Sequence, residues 1–473
     1  MPNHVIGILG GAVSGSEAAA IAAQRGAYAI VLEQNERPYG KIEDGLPRWH
    51  VALRNKEYAR IDENLTHPNI MFVPKTKLGR DVEWDVFTKE LGLSAVVLAN
   101  GAWRDRPQPA AIDAFNGRGL VYQNPFVYWF NHQKVVQKTV PSVARAVAGE
   151  ASEGSEGSAN IRDYRGGSYE IPDGAIVIGG GLASIDCVKI INFDLYGRAL
   201  RERGIEVDAE QMEHEGLRKI LTDHGLTVEE LGIQGATLFY RRRAEDMPIV
   251  SSDEGNAARM AKLEQTRVKL LSKVLEKYLV KFVPLASPLA PLTDQTGLHL
   301  TGVRFQKNAF VDGKLVATDE VLDVKTALVV SSIGSIPEDL PGVPMKGELY
   351  KWKNWETGKL DSEAEVYGLG NVLTGKGNIV ESRKNSKKVM GRLVEARLGL
   401  ADGTPAGDAE LDAEVEAAHA AARAEIMATI DSALDHEPLS DEVVARIKRW
   451  VESRWEAVGY GGEYRAWIEA HRP

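Results

Sequence analysis

Two glycine-rich stretches have the residue types and spacing to do chemistry, and the first lies at the N-terminus. The sequence from Val5 to Gly15 reads VIGILGGAVSG, an apolar run that leads into a glycine turn. Gly10 and Gly15 match the first and third glycines of a GxGxxG pattern, while Ala12 stands at the second. Backbone N–H groups at such a turn bind a pyrophosphate at a helix N-terminus. The pattern predicts a dinucleotide-binding loop made of Gly10, Gly11, Ala12, Ser14 and Gly15.

An acidic residue follows this loop at the spacing that a dinucleotide site requires. Glu33 lies 18 residues after Gly15, at the end of a second apolar run from Ala29 to Leu32. A carboxylate there accepts hydrogen bonds from ribose hydroxyls and repels a 2′-phosphate. Glu33, with Gln34 beside it, therefore indicates an adenosine whose 2′-hydroxyl is free. The alternative is an ordinary βα unit, because glycine turns also close those.

The second glycine-rich stretch repeats the arrangement in the middle of the chain. An apolar run from Ala175 to Ile178 leads into GGGLAS, which places Gly179 and Gly181 in the pattern and Ser184 at its third position. Leu182 and Ala183 open the helix that should follow. The run Ala236–Tyr240 reads as the next strand, and it ends in three arginines, Arg241, Arg242 and Arg243.

Those arginines follow the strand after the second loop, in the position that Glu33 has after the first loop. Guanidinium groups bind phosphate in a bidentate manner, so Arg242 and Arg243 indicate a 2′-phosphate and favour NADP(H) over NAD(H). The alternative is a solvated basic turn, in which Glu245 and Asp246 pair with the arginines. Two such loops in one chain predict hydride transfer between two cofactors, for which no protein nucleophile, metal or catalytic dyad is required.

Composition limits the other possibilities. The chain has 473 residues, of which 44% are hydrophobic and 26% charged, as in ordinary globular proteins. Cys187 is its single cysteine, which excludes an internal disulfide, a CxxC pair and a cysteine-ligated iron–sulfur cluster. The formal charge of −10 argues against wholesale nucleic-acid binding. There is no apolar run of membrane-spanning length, and the N-terminus lacks the basic region of a signal peptide, so we expect a cytoplasmic location.

The elements that must position the loops can be read from apolar runs that end at Gly or Ser. These runs predict strands buried on both faces of parallel sheets, with helices between them; they are Val5–Leu9, Ala29–Leu32, Ala95–Ala99, Ala175–Ile178, Ala327–Ser331 and Glu365–Leu369. The segment Ala148–Asn160 is rich in Gly, Ser and Glu and predicts a flexible surface insertion. Asp408–Ile430 predicts a helix, and Ser440 a cap for another, with packing as their expected role.

The chain resembles the adrenodoxin reductase-like flavoproteins, that is, ferredoxin–NADP reductases with two dinucleotide-binding domains. More distantly, it is similar to the small subunit of glutamate synthase. The likeness extends from about residue 4 to residue 392. It is carried by Pro38–Gly45 with His50 (family pattern PxGLxRxGVxPDH), Ala95–Gly101, Asp105-Arg106, Asn124–Asn131, Gly179–Asp186, Arg242-Arg243, Leu328–Gly334, Tyr367–Asn371 and Thr374–Val380.

This resemblance implies an α/β protein with two Rossmann-like domains. A discontinuous domain, 1–103 with 335–400, would hold FAD; 104–334 would hold NADP(H); and 401–473 would be a helical extension packed on the FAD domain. It implies that FAD is bound by the first-loop residues together with Glu33, Gln34, Gly40, Lys41, Ile42, His50, Gly101, Ala102, Gly370, Asn371, Asn378 and Ile379. It implies that NADP(H) is bound by Gly179, Gly181, Leu182, Ala183, Arg242 and Arg243.

The resemblance also implies a redox partner, with departures that leave alternatives open. Asn371 replaces a tryptophan of the family pattern, Asn378 stands near an expected glycine, and Glu381 stands where a small residue is expected. A basic run that includes Lys384 and Lys388 would suit an acidic ferredoxin-like protein, although it would equally suit a solvated helix face. The alternatives are a flavin reductase of a small organic acceptor or quinone, and an electron-input or assembly subunit of a larger redox complex.

Overall fold

The computed structural model describes residues 3–139, 168–250, 257–374, 391–400 and 409–472. The predicted insertion at Ala148–Asn160 lies outside these ranges, as do Asn378, Ile379, Glu381, Lys384 and Lys388. The fold is an α/β architecture of two parallel sheets covered by helices, which confirms the predicted fold class.

The strands are short and are numbered in chain order. They are β1 (Val5–Leu9), β2 (Tyr28–Leu32), β3 (Ile70–Val73), β4 (Ala95–Leu98), β5 (Arg104–Asp105), β6 (Leu120–Tyr122), β7 (Ile176–Gly179), β8 (Thr237–Phe239), β9 (Lys281–Val283), β10 (Ala286–Thr293), β11 (Leu300–Val311), β12 (Lys314–Lys325), β13 (Val329–Ser332), β14 (Ser335–Ile336), β15 (Met345–Lys346), β16 (Leu349–Tyr350), β17 (Trp352–Asn354), β18 (Lys359–Leu360) and β19 (Val366–Gly368).

The helices are likewise numbered in chain order. They are α1 (Val13–Gln24), α2 (Gly40–Asp44), α3 (Val51–Leu65), α4 (Ala110–Asp113), α5 (Gln123–Thr139), α6 (Leu182–Arg201), α7 (Ala209–Glu215), α8 (Leu217–Asp223), α9 (Val228–Leu231), α10 (Ala257–Lys277), α11 (Asn371–Thr374), α12 (Gly391–Leu398), α13 (Ala409–Ala433), α14 (Asp441–Val458) and α15 (Tyr464–Ala470). A π-helical turn covers Val86–Glu90 and a 3-10 turn covers Ala244–Asp246.

The first sheet joins the two ends of the chain. Its seven strands run in the order β17-β18-β19-β4-β1-β2-β3, and the strands from β19 to β3 are parallel. Ile8 of β1 lies between Val31 of β2 and Val97 of β4. All five β1 residues are buried, as expected for a strand covered on both faces. β2 lies on one side of β1 and β4 lies on the other, so the strand order reverses at β1. A crevice therefore opens at the carboxyl ends of β1 and β4.

The second sheet is built from the middle of the chain. Its five strands are all parallel and run in the order β6-β13-β7-β8-β9. Here β7 lies between β8 and β13, so the second glycine loop leaves the sheet at an equivalent crevice. A separate three-stranded antiparallel sheet, β10-β11-β12, packs beside it, with Phe305 stacked on Phe239 at 4.2 Å between ring centroids.

Two crossing segments join the sheets. The chain leaves the first sheet through β5 and comes back through β14, and these two strands pair antiparallel, with Ser335 opposite Asp105. Asn124, at the start of α5, donates its side-chain amide to the Trp103 carbonyl at 2.9 Å and to Ser335 Oγ at 3.2 Å. The junction between the sheets is therefore fixed by hydrogen bonds from both crossings.

The C-terminal helices α14 and α15 contact the first sheet and the helices beside it. Ser440 caps α14 by accepting from the Val443 N–H, and Trp455 of that helix donates its indole N–H to the Phe72 carbonyl at 2.8 Å. Tyr464 of α15 donates to Asp62 of α3 at 2.7 Å. No helix within the described ranges is long and apolar enough to cross a bilayer.

Candidate functional site: two glycine loops at two sheet edges

The first loop is pressed against the segment that follows β4. Gly10 has a φ of +89°, and a Cβ placed on it would lie 2.7 Å from the Ala99 carbonyl oxygen. A Cβ on Gly15 would overlap the Gly10 carbonyl oxygen. Neither position can carry a side chain without moving the backbone, since real Cβ atoms do not approach so closely. The two glycines therefore bring α1 and the β4 end to the crevice.

The start of α1 is open to an anion. Ala12 is the N-cap residue, with no side-chain hydrogen bond to the first turn and no acidic residue within it. The free N–H groups and the positive end of the helix dipole at this point favour a negatively charged group. Ala12 lines the cleft, and its methyl group lies 3.0 Å from the place where a Cβ on Gly40 would stand. Gly40 thus makes room for the methyl group at the second glycine position.

Glu33 is buried at the end of β2, where the sequence placed it. Its two carboxylate oxygens accept from the Gly11 N–H at 3.0 Å and the Asn35 N–H at 2.9 Å. The side chain is 4% exposed, and burial raises the pKa of Glu33 to about 7 against the opposing effect of those hydrogen bonds. Gln34, Thr76 and Lys77 line the same lobe of the cleft.

The cleft continues past the loop into a second, larger lobe of about 1010 Å³. Ala12, Gly40 and Trp103 border both lobes, so the two form one elongated groove. The larger lobe is lined by most of the residues expected at a flavin ring: Lys41, Ile42, Gly101, Ala102 and Asn371. Gly370 lies directly behind it, since a Cβ there would meet Ser14 Oγ at 2.6 Å.

Two buried acceptors in this groove lack a partner among the described residues. They are Asn100 Oδ1 and Asn371 Oδ1. A buried polar atom without a hydrogen bond is costly, and a bound group with donors can satisfy it. Together with the uncapped helix start and the glycine contacts, these acceptors fit an extended dinucleotide that carries a polar ring at its far end.

Lys41 lies in the larger lobe, and the side chains that hold its ammonium group are neutral. Its Nζ donates to Asn124 Oδ1 at 3.0 Å and to Ser335 Oγ at 3.1 Å, and lies 5.5 Å from the Trp103 ring centroid. Burial lowers the pKa of Lys41 to about 8, while the nearby Asp105 carboxylate opposes the shift. Lys41 therefore connects the first cleft to the crossing segments between the sheets.

The second loop repeats the contacts of the first. A Cβ on Gly179 would overlap the Ser332 carbonyl oxygen at the end of β13. Gly181 is the N-cap of α6, without a side-chain cap, and a Cβ on it would meet nothing within 4 Å. Ser184 Oγ donates to the Gly181 carbonyl at 2.6 Å, in the place of the third glycine. The Cβ side of Gly181 therefore faces open space at a helix start, where free backbone N–H groups favour an anion.

The arginines at the end of β8 lie next to this crevice, and they are paired. Asp246 accepts from Arg242 at 3.2 Å and from Arg243 at 3.0 Å. The arginines lower the pKa of Asp246, and both guanidinium groups lie over the Phe310 ring, at 5.5 and 4.4 Å. Their side chains remain 41% and 42% exposed. The structure thus contains the pairing that the sequence left as an alternative, and it leaves both cations accessible to a phosphate.

His50 lies outside the first cleft. It is buried between the start of α3 and α6, where its Nε2 accepts from the Trp49 indole N–H at 3.0 Å and lies 3.9 Å from Asp186 Oδ1. Burial lowers the pKa of His50 to about 4, so the ring is neutral at pH 7. The position of His50 is therefore close to the second loop, and its proposed contact with the first cofactor stays a prediction.

A buried group of charges around His50 was not predicted from the sequence. Asp186 of α6 also pairs with Arg397 of α12 at 3.1 Å. One turn later, Lys189 is fully buried and pairs with Glu213 of α7 at 3.0 Å. The signal was present, because Asp186 and Lys189 lie within the apolar N-terminal half of the helix. Their partners are distant in sequence and could not be identified without the fold.

The C-terminal helix α13 does more than pack. His419, Ala422, Arg423 and Ile426 line the larger lobe of the cleft. His419 pairs with Glu57 of α3 at 2.9 Å, and Arg423 with Glu17 of α1. The 3.6-residue pattern of this segment predicted a helix but not which of its faces would border the cleft.

Fold and loops together define a fold class: α/β proteins with two mainly parallel sheets, each with a strand that leads through a glycine loop into a helix. Among solved structures, FprA from Mycobacterium tuberculosis in complex with NADPH is similar, with a TM-score of 0.59 and 16% identity over 96% of this chain and 91% of that one. A second FprA structure, of an oxidoreductase with covalently modified NADP⁺, has 17% identity at the same TM-score and coverage. A thioredoxin reductase from Lactococcus lactis matches with a TM-score of 0.44 and 11% identity over 93% of this chain and 99% of that one.

No family model and no curated protein matches the chain. At these identities, the FprA likeness establishes the fold. It agrees with the resemblance to adrenodoxin reductase-like flavoproteins that the sequence motifs indicated.

Proposed function

We propose that this chain is an NADPH-dependent flavoprotein oxidoreductase that binds FAD at the first loop and NADP(H) at the second. The observation that supports the proposal most strongly is that the same strand–glycine loop–helix arrangement occurs twice. Each of two adjoining parallel sheets ends in an uncapped helix start, reached through a glycine that touches the neighbouring strand end. Hydride transfer from nicotinamide to flavin is the chemistry that such a pair of cofactors supplies when bound.

On the FAD side, the elongated groove supports the assignment. The α1 start at Ala12 and Ser14 would hold the pyrophosphate through backbone N–H groups. Glu33 would accept from the ribose, exchanging part of its present hydrogen bonding for the sugar hydroxyls. Gly40, Lys41, Ile42, Gly101 and Ala102 would border the ring end, and Asn371 would find there a partner for its buried Oδ1. Asn378 and Ile379 remain assignments from the resemblance.

On the NADP(H) side, the open space at Gly181 supports pyrophosphate binding by the α6 start, with Gly179, Leu182 and Ala183 around it. Arg242 and Arg243 would bind the 2′-phosphate, sharing their charge between that group and Asp246. We place the NADP(H) domain at 104–334, inserted between the two parts of the FAD domain, 1–103 and 335–400. The extension 401–473 would complete the FAD domain.

A ferredoxin-like protein is the acceptor that we propose for the electrons of the reduced flavin. A flavoprotein that receives a hydride can release its electrons singly to an iron–sulfur protein, and the chain's single cysteine means that the iron–sulfur centre must lie on the partner. A cytoplasmic location is consistent with such a partner and stays a prediction.

The test is the cofactor content and the acceptor profile of the purified chain. We expect a yellow protein that releases FAD on denaturation and that reduces cytochrome c with NADPH rapidly only when a ferredoxin is added. Equal rates with a quinone alone would replace the ferredoxin by a small acceptor. A colourless protein that purifies in fixed ratio with other subunits would contradict the enzymatic proposal and favour an assembly role.

A further inference from the structure

The larger lobe of the first cleft is lined by a lysine, Lys41. The lobe bordered by Lys41 is the larger one, and Lys41 is not part of the lobe that contains Glu33. If FAD lies with its adenosine at Glu33 and its pyrophosphate at the α1 start, its ring must extend into the Lys41 lobe. The inference below rests on this proposed function.

Three cations line that lobe in the described part of the chain, and they differ in their partners. Arg60 pairs with Glu416 at 3.3 Å, and Arg423 pairs with Glu17. The groups that hold Lys41 Nζ are the uncharged Asn124 and Ser335. A pair of opposite charges largely cancels at a distance, whereas an ammonium held by neutral groups projects its full charge. Among the described residues, Lys41 is therefore the one of these three cations whose charged group is held by neutral side chains and not by a salt bridge.

The position of that charge matters for the chemistry. Ser335 lies on the returning crossing, and Asn124, at the start of α5, donates to it, so the ammonium lies at the junction where a nicotinamide from the second domain would have to meet the ring. The nearest carboxylate to contribute is Asp105, which follows β4 on the same crossing and accepts from the Asn124 N–H at 3.3 Å.

We propose that Lys41 faces the flavin ring and stabilises the negative charge that the ring acquires on reduction, which raises the reduction potential of the bound flavin. NADPH supplies two electrons and one proton as a hydride, and the reduced ring carries the resulting charge. A cation close to that charge binds the reduced form more tightly than the oxidised form. The partly compensating carboxylate of Asp105 sets how much of the field remains.

The experiment compares four variants of the full-length, flavin-bound protein. Lys41→Gln keeps a donor toward Asn124 and Ser335 but removes the charge, and Lys41→Arg keeps the charge. Asp105→Asn removes the compensating carboxylate and can still accept from Asn124. Lys89→Gln removes one positive charge from a surface lysine that pairs with Asp85, and serves as the control. The readouts are the flavin midpoint potential, by anaerobic dye titration, and the dissociation constant of sulfite, which forms an anionic adduct with the ring.

We expect Lys41→Gln to weaken sulfite binding and the preference for reduced flavin at least tenfold, a fall of about 30 mV for a two-electron couple. Lys41→Arg and Lys89→Gln should stay near the wild type, and Asp105→Asn should move both readouts the opposite way. Unchanged readouts in Lys41→Gln at full flavin content, or an equal loss in Lys41→Arg, would overturn the inference. If Lys41→Gln does not retain flavin, Asp105→Asn decides at pH 6, because losing Asp105 lowers the pKa of Lys41 further below about 8 and the ammonium must stay charged. No rise in the readouts at that pH also overturns the inference. A wild-type protein without flavin would instead refute the proposed function.

Discussion

The two glycine loops share a backbone design and differ in what surrounds it. Each follows a strand that lies between two parallel neighbours, and each begins with a glycine held against the next strand end, at Ala99 in one case and Ser332 in the other. The differences lie at the second and third glycine positions and in the charge after the following strand. These differences separate the glycine positions, which fix the backbone of each loop, from the charged position, which we propose selects the cofactor.

The residue at the third glycine position fixes the backbone differently in the two loops. Gly15 touches the Gly10 carbonyl so closely that no Cβ fits, whereas the second loop has Ser184, whose hydroxyl donates to Gly181. At the second position the order is reversed, since the first loop has the methyl group of Ala12 against Gly40 and the second has open space at Gly181. A residue that departs from the glycine motif is thus accommodated where the residue packed against it leaves room.

We propose that the charge at the end of the following strand selects between a ribose with a free 2′-hydroxyl and one with a 2′-phosphate. Glu33 is buried and held by two backbone N–H groups, so it can exchange these for ribose hydroxyls but would repel a phosphate. Arg242 and Arg243 are half-exposed and share one carboxylate. The first loop therefore suits a 2′-hydroxyl and the second a 2′-phosphate.

The largest difference in stability between variants of the two loops is expected for substitutions at the third glycine position. Gly15→Ala forces a methyl group into the Gly10 carbonyl and should destabilise the protein by about 3 kcal/mol or more, with loss of flavin. Ser184→Gly removes only one hydrogen bond and should cost about 1 kcal/mol. Chemical unfolding and flavin content measure both. Comparable losses in the two variants would contradict the distinction between the loops.

The next effect concerns the arginine pair. Arg242→Ala combined with Arg243→Ala should raise the KM for NADPH roughly a hundredfold, since each lost charge-assisted hydrogen bond costs about 1.5 kcal/mol at such exposure. The KM for NADH should change far less. Arg304→Ala, which removes an equally exposed arginine paired with Asp323, is the matched control and should affect neither constant. An equal rise for both cofactors would defeat the 2′-phosphate assignment.

A smaller effect follows from the buried acid of the first loop. Because the pKa of Glu33 is raised to about 7 in the folded protein, its contribution to stability is present at low pH and is lost as pH rises toward 7. In cofactor-free protein, Glu33→Gln should therefore gain stability relative to wild type, by about 2–3 kcal/mol, between pH 5 and pH 8.

The second loop provides the control for that pH effect. Arg242 and Arg243 lower the pKa of Asp246, so Asp246→Asn should give a difference from wild type that is flat over the same range. The two unfolding series can be measured in denaturant at matched ionic strength. A flat curve for Glu33→Gln would mean that this carboxylate is ionised and solvated in the folded protein, and would remove it from the buried ribose site.

The smallest expected effect tests the methyl group in the first loop. Glycine is a better N-cap residue than alanine, and Gly40 already leaves room for the methyl of Ala12. Ala12→Gly should therefore stabilise the protein by no more than about 1 kcal/mol and leave flavin affinity within about twofold. A large gain in flavin affinity would show that the methyl group blocks the pyrophosphate, and thus that the first loop is impaired where the second is not.

The sequence predicted the parallel strands and both loops because these depend on local signals. Val5–Leu9 is apolar on both faces and is followed by glycines that only a sharp turn requires, and this pattern is read without knowledge of the rest of the chain. The prediction of a capped helix at Ser440 succeeded for the same reason.

What the sequence did not predict depends on residues brought together by the fold. Arg397 reaches Asp186, and His419 reaches Glu57, across separations of more than 200 residues, which no periodic pattern encodes. The expected contact of His50 with the first cofactor came from a motif and stays a prediction, while its proximity to Asp186 of α6 was not predicted. Local patterns thus identified the glycine loops, and the charge pairs between distant segments emerged only from their packing.

The central claim is that one chain brings two cofactors into hydride contact, and an anaerobic titration with NADPH tests it directly. We expect the visible flavin absorbance to bleach stoichiometrically with added NADPH, with NADH much less effective. A flavin that is bound but stays oxidised in excess NADPH, while dithionite reduces it, would contradict the account.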